Sequence, residues 1–203
     1  VNGLNTAKIV AAAIESDVRR FIYISTVHVY RNPMIGNINE STSTANLNPY
    51  ATSKLAGEKV VLNASQMGKM LGIVLRLSNG SGHPVFRDTK CWHLIFNDLC
   101  RQAVQERKLT LYSESTIERN FISMSNICLG IEYFLRLPEK DIGYTPVNLC
   151  SEMSYSLHDL AHLISNRCKA VFGYELEIVS DSREQKSRNN MGLHFSTMTL
   201  ETM

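Results

Sequence analysis

Along the first third of the chain, the spacing of apolar residues changes from one segment to the next. In "NTAKIVAAAIES" (5–16) they recur at helical intervals and predict a helix. "RRFIYIST" (19–26) is a short apolar run rich in β-branched and aromatic residues, the pattern of a strand buried on both faces of a parallel sheet. A polar stretch with Pro33, Gly36 and several Asn and Ser residues predicts a loop as far as Asn48. A helix from about Pro49 to Met67 follows, then Gly72 and a second buried strand, "IVLRLS" (73–78). Helices alternating with buried strands mean βαβ units and an α/β, doubly wound parallel sheet.

Beyond residue 78 the elements are shorter and more mixed. "NGSGHPVFRDT" (79–89) reads as a loop and "CWHLIFNDLCRQAVQE" (91–106) as a helix. Short strands are predicted at "LTLYS" and "NFISMS", a helix at "NICLGIEYFLRL" (126–137), a strand at "TPVNLC" and a helix at "SLHDLAHLISNRCKAVF" (156–172). "ELEIVS" (175–180) is the last predicted strand, and "SDSREQKSRNN" (180–190) mixes charges and reads as a solvated loop. Residues 1–78 are thus expected to form a sheet domain, and 79–203 a smaller mixed α/β portion interleaved with it. The chain opens at Val1 in the middle of a helical pattern, with no initiator methionine and no preceding strand, and "HFSTMTLETM" stops without a clear terminal element. A fragment, truncated at both ends, is the expectation.

Composition narrows the function classes. At 203 residues, 44% hydrophobic and 20% charged, the chain can bury a sizeable core. A formal charge of +2 with no basic stripe argues against nucleic acid as a partner. No apolar run approaches the 18 or so residues of a membrane span, and no signal-peptide pattern is present. Five scattered cysteines without a Cys-x-x-Cys fit reduced thiols in a cytoplasmic protein.

Candidate chemistry centres on "NLNPYATSKLAGEK" (46–59). Asn48 suits the N-cap and Pro49 the first helical position, which puts Tyr50 in the first turn. Lys54, four residues on, shares its face and leans back toward it. An ammonium and a helix N-terminus together favour a phenolate. Spacing alone does not separate this from an incidental pair on a surface helix. Upstream, Ser25 and Thr26 lie at the C-terminal end of a buried strand, the edge where open α/β sheets bind ligands.

With these motifs in this order, the chain resembles the extended short-chain dehydrogenase/reductase family, in its sugar-nucleotide epimerase/dehydratase branch. Asn2 and Thr6 match the family's Asn-x-x-Gly-Thr helix start, with Asn5 in the glycine place. Ser25, Thr26, Val29 and Tyr30 match Ser-Ser/Thr-x-x-Val-Tyr-Gly, with Arg31 replacing the glycine. Pro49, Tyr50 and Lys54 match Pro-Tyr-x-x-x-Lys, Arg76 and Asn79 match Arg-x-x-Asn, and Arg119-Asn120-Phe121-Ile122 stands for Arg-Asp-Phe/Tyr-Ile.

The resemblance implies a Rossmann-type sheet that binds NAD or NADP, with residues 1–78 as the C-terminal half of that cofactor domain and 79–203 as the substrate-binding portion. The glycine-rich pyrophosphate turn is not found in this chain. Tyr50 is implied as the acid/base, Lys54 as the group holding the nicotinamide ribose, and Thr26 as the residue orienting a sugar hydroxyl. Asn2 and Ser25 join the cofactor contacts; Asn79 and Arg119 join Thr26 in binding a nucleotide-sugar, Arg119 at its diphosphate.

Where the dehydratases carry Asp-Glu after the threonine, Val27 and His28 stand here, which disfavours a 4,6-dehydratase. An epimerase remains, or a keto-sugar reductase, or a non-catalytic nucleotide-sugar-binding module; a homodimer fits family habit. "HDLAH" (158–162) has two histidines one turn apart but Asp159 in place of the zinc-peptidase glutamate and no third ligand, so no metal is expected. His83 reads as a turn residue and Cys91 as packing.

Overall fold

The computed structural model describes residues 2–86, 88–111, 117–180 and 192–196. In chain order the elements are α1 (Asn2–Glu15), β1 (Arg20–Thr26), a 3₁₀ turn (Val27–Val29), β2 (Gly36–Ile38), α2 (Pro49–Gln66), β3 (Leu71–Leu77) and β4 (Asn79–Ser81). Then come α3 (Ile95–Gln105), β5 (Lys108–Leu111), β6 (Arg119–Ser123), α4 (Met124–Arg136), β7 (Val147–Leu149), β8 (Ser154–Tyr155), α5 (Leu157–Phe172), β9 (Glu177–Ser180) and β10 (Leu193–Phe195).

The central sheet is parallel, in the order β1-β3-β7. Successive side chains alternate between its faces. On one face Tyr23 and Val74 pack with Val10 of α1 and Val61 and Ala64 of α2. On the other, Ile22, Ile24, Ile73 and Leu75 pack with Ile127 and Phe134 of α4. This is the expected doubly wound α/β arrangement, and its third strand comes from beyond residue 78. Arg20 fastens α4 to β1 by donating to the carbonyls of Phe134 and Leu135, which helix geometry leaves without intrahelical partners.

Glycine permits the close approach of α2. A Cβ at Gly57 would lie 2.3 Å from the Tyr23 hydroxyl, and one at Gly72 would lie 2.7 Å from the Val61 carbonyl oxygen. Tyr23 therefore fits beneath α2 only because residue 57 has no side chain.

The second half builds a layer of its own. β6 pairs with β4 in parallel and with β8 antiparallel, and β5 pairs with β9 in parallel. Leu99, Ala103, Leu109, Leu111, Leu157, Leu160, Ala161 and Ile164 form its core. α5 starts at a Ser156 cap, whose oxygen accepts from the Asp159 N–H, and ends at Gly173 in the left-handed region, as its sequence suggests.

Several short elements differ from expectation. β2 lies within the predicted loop and pairs in parallel with β10, residue Gly36 opposite Leu193. β4 likewise lies where a loop is predicted, because Asn79–Ser81 find partners in Phe121–Ser123. α3 begins at Ile95 rather than Cys91: the Leu94 N–H bonds back to the Cys91 carbonyl, so residues 91–94 form a turn before the helix. The predicted loop over 180–190 lies, beyond Ser180, outside the described residues. No helix among the described residues is long and apolar enough to cross a membrane.

Candidate active site

β1 and β3 end side by side, Thr26 opposite Leu77. Immediately past those ends a crevice of about 210 Å3 opens, lined by Thr26, His28, Tyr50, Ser78, Asn79 and Gly80 on its polar side and by Leu94, Ile95, Phe96 and Phe121 on its apolar side. Three of the residues expected in the site, Thr26, Tyr50 and Asn79, thus meet in one place. A larger open groove of about 390 Å3 runs along α4 between Leu129, Tyr133 and Pro138. None of the expected site residues lines it, and its charged lining, Glu132 and Arg136, is an ion pair.

A chain of local bonds fixes Tyr50 at the rim. Asn48 caps α2 as expected, its Oδ1 accepting from the Tyr50 N–H at 2.9 Å, and Pro49 stands at the first helical position. The Asn48 N–H donates to Asn46 Oδ1, and Asn46 Nδ2 donates to the His28 carbonyl at 2.7 Å. The start of α2 is thereby tied to the turn that follows β1. Tyr50 remains half exposed. Thr26 is buried, and its Oγ1 accepts from the His28 N–H, which leaves the hydroxyl proton free to donate elsewhere.

Lys54 lies one turn behind Tyr50. Its ammonium donates to the Ile24 carbonyl at 2.9 Å and sits 5.2 Å from the centre of the Tyr23 ring. Burial pulls the ammonium below the ordinary lysine range, and the Glu58 carboxylate works against that fall. An ammonium has three protons to give, so the carbonyl leaves donors available for a ligand.

The other expected residues are placed differently. Ser25 points to the α2 face and donates to Glu58 Oε1 inside the protein. Asn2 Nδ2 donates to Ser53 Oγ and joins α1 to α2. Asn79 Nδ2 donates to the Asn120 carbonyl, and the residue lines the crevice. Arg119, at the head of β6 and in register with Tyr155, is not among the crevice-lining residues. Asn120, in the family's aspartate place, is buried and binds the Ser151 and Met153 carbonyls, holding the segment before β8.

Beneath the crevice lies a polar cluster that motif reading did not assemble. Ser25, Arg76 and Asn148 stand opposite one another on β1, β3 and β7, making a buried polar row across the sheet. Glu58 of α2 closes over it: Arg76 Nε and Nη2 donate to its carboxylate at 3.0 and 2.6 Å. Arg76 Nη1 donates to the Tyr30 hydroxyl, which donates to Asn148 Oδ1. Burial disfavours the Arg76 charge, but the bonds and charge of Glu58 outweigh it and hold the guanidinium above its ordinary value. Burial also pushes the Tyr30 phenol up, against the pull of Arg76. The sequence signal was an arginine in the middle of an apolar strand, with Glu58 four residues past Lys54 on one helix face.

Comparison with known proteins agrees with this architecture. The model of the NAD dependent epimerase/dehydratase family matches residues 1–150. The chain is 28% identical over 159 residues to a protein of Bacillus subtilis (strain 168) named as an uncharacterized UDP-glucose epimerase, covering 78% of this chain and 48% of that one. It is 27% identical over 161 residues to the dTDP-D-glucose 4,6-dehydratase of Homo sapiens, covering 79% and 44%. The chain therefore spans about half the length of these relatives. Among solved structures, a dTDP-glucose 4,6-dehydratase of Bacillus anthracis in complex with NAD superposes with a TM-score of 0.74 at 17% identity, covering 99% of this chain and 60% of that one. At such identity the likeness speaks for the fold alone. With its parallel α/β sheet, its Tyr50 and Lys54 on one helix face and a family match over residues 1–150, the chain belongs to the NAD dependent epimerase/dehydratase family.

Proposed function

We propose that the full-length protein is an NAD(P)-dependent epimerase, or a related oxidoreductase, acting on a nucleotide-sugar through a transient keto-sugar. The observation that carries this reading is the meeting of Tyr50, Thr26 and Asn79 in one crevice at the strand ends, with Lys54 a turn behind. The fit to a nicotinamide cofactor rests on the same donors: an exposed phenol, an ammonium with protons to spare, and the helix start between them. A nicotinamide bound there supplies the acceptor and donor of hydride.

The residues divide the remaining work. Tyr50 takes the proton of a sugar hydroxyl as that carbon is oxidised, and returns it when the keto group is reduced. Lys54 holds the nicotinamide ribose. Thr26, its oxygen fixed by the His28 N–H, donates its proton to the sugar oxygen and orients it. Asn79 reaches the sugar near its phosphate link. The apolar wall of Leu94, Ile95, Phe96 and Phe121 excludes water from the reacting carbon. Arg119 is kept as the diphosphate ligand, approaching from β6.

One feature of the crevice favours epimerisation or simple redox over elimination of water. No carboxylate lines it among the described residues: Val27 is buried and His28 stands in the lining. A keto-sugar reductase would use the same groups for the reductive half alone, consuming one NAD(P)H per turnover, whereas an epimerase returns the hydride it takes.

The test is thermal unfolding of the full-length protein with NAD+, NADP+ and a panel of UDP-, GDP- and dTDP-sugars, followed by turnover assays. Stabilisation by one dinucleotide and one sugar family, with turnover abolished in Tyr50→Phe, is the expected result. No stabilisation by either dinucleotide would sink the enzyme reading and favour a non-catalytic binding module.

A further inference from the structure

We propose that Glu58 is a positioning residue for the Tyr50–Lys54 pair, fixing the lysine turn of α2 on the end of β1 and keeping the Lys54 ammonium charged there. The proposal rests on the reading of that site, and its test is separable from it.

Tyr50, Lys54 and Glu58 recur every four residues, so all three share one face of α2. Lys54 and Glu58 then grip consecutive residues of β1: the ammonium binds the Ile24 carbonyl, and the carboxylate receives the Ser25 hydroxyl. The next residue is Thr26. Two adjacent bonds therefore set both the height and the rotation of α2 against the strand end, and with them the place of Tyr50 opposite Thr26. Arg76 orients the carboxylate from below by two nitrogens, and Tyr30 holds Arg76 in turn. Glu58 is 1% exposed. An apolar residue there would pack against the sheet without the desolvation cost of a buried charge. An anion earns that place by what it does to a neighbouring cation.

The groups that act on Lys54 can be named. Tyr23 of β1 lies under it, Tyr50 and Glu58 flank it on its own helix, and Arg76 of β3 stands behind Glu58. α1 brings uncharged Asn2 and Thr6 toward this part of α2 and Tyr23. Glu58 is the one anion of this set. Its loss leaves Arg76 unbalanced and lets burial of the ammonium act unopposed, so Lys54 gives up its proton more readily.

The experiment is competitive acetylation of the full-length protein across a pH series, read for Lys54 by mass spectrometry, with the exposed Lys8, Lys59 and Lys140 as internal references. Only the uncharged amine reacts, so the assay reads the protonation of Lys54 with no substrate or cofactor present. In Glu58→Gln, Lys54 should become severalfold more reactive at neutral pH while the reference lysines do not change. If a stranded Arg76 prevents folding, Glu58→Gln combined with Arg76→Met removes the unbalanced charge and should give the same rise. Variants are compared only where a cooperative unfolding transition is retained. Unchanged Lys54 reactivity in the variant that folds would overturn the proposal. Turnover lost in Tyr50→Phe with Lys54 reactivity unmoved by Glu58→Gln would keep the enzyme reading and reject this one. A rise in Lys54 reactivity in a protein that binds no dinucleotide would do the reverse.

Discussion

The two halves of the molecule bury different things. Between α2 and the central sheet lie Ser25, Glu58, Arg76, Tyr30 and Asn148, all buried and all joined by hydrogen bonds. Between α3, α5 and the β5–β9 pair lie leucines, alanines and isoleucine, with no charged residue in the cluster. Both cores exclude water; the second reaches the crevice through Ile95, Phe96 and Phe121, whereas the first lies behind it and fixes the helix that carries Tyr50. The second holds its shape by area removed from water, which is non-directional and tolerates small shifts. To the apolar packing of Tyr23, Val61 and Val74 the first adds bonds of fixed direction and length, which do not. On the proposed reading of the site, a tyrosine that must meet a substrate atom within a fraction of an ångström is better carried by the first kind of support.

The largest effect that distinguishes the two cores is expected at Arg76. Arg76→Met strands Glu58 without its guanidinium and should cost about 3–5 kcal/mol in urea unfolding. Glu58→Leu combined with Arg76→Met should recover most of that loss while leaving the lysine turn without its anion. Simple additivity of the two single changes would show that the bonds do not act as a unit.

In the apolar core, Leu160→Ala should cost about 3 kcal/mol through lost transfer energy and a residual cavity. No second substitution of charge should restore it. Turnover per folded molecule should not change, because Leu160 is not among the residues lining the crevice. A fall in turnover of the folded fraction would show that the two cores are mechanically coupled.

The smallest effect is one of pH. Cys150, beside the polar cluster, has its thiol pushed up to about 12 by burial, with the Glu40 charge adding to the rise. A group raised in the folded state contributes stability fully below its unfolded value near 9 and loses it as pH climbs toward 12. Stability should therefore fall above about pH 9, by about 1 kcal/mol at pH 10 from this thiol alone. The fall should be shallower by that amount in Cys150→Ala, measured by urea unfolding at a series of pH values. Equal slopes in the two proteins would place the loss in other groups, Tyr23 and Tyr30 among them, whose phenols burial also raises.

Much of the first core could be read from residue pattern. The strand expected over 19–26 is Arg20–Thr26, and the helix expected to start at Pro49 starts there, because Asn48 and Pro49 act locally through the backbone they cap. Thr26 and Tyr50 could be named for the same reason, since each stands at an element's end and ends carry local signals; Asn79 is named only by the resemblance to the family's Arg-x-x-Asn motif. The apolar wall of Leu94, Ile95, Phe96 and Phe121 could not, since it exists only once the second half folds against the strand ends. Segments of two or three residues, such as β2, β4 and β8, are too short to show any periodicity and are strands only because a partner lies beside them. Ser25 shows the limit most clearly. Its place at a strand end suggested a ligand contact, but the pleat turns its hydroxyl to Glu58 and leaves the crevice lining to Thr26.

The pairing of β2 with β10 also has a consequence for the order of events during synthesis. β2 belongs to the segment between Thr26 and Tyr50, and its Ile38 packs with Val27, Tyr30 and Leu193. Its partner, Leu193–Phe195, leaves the ribosome only after every other described element has emerged. Asn148, which completes the polar row, is likewise a late arrival. The helix bearing Tyr50 and Lys54 can thus form and dock early, while β2 waits for its partner, the last strand. A nascent chain paused before residue 193 would already carry every residue that lines the crevice and, among the described elements, would lack only the strand that pairs with β2.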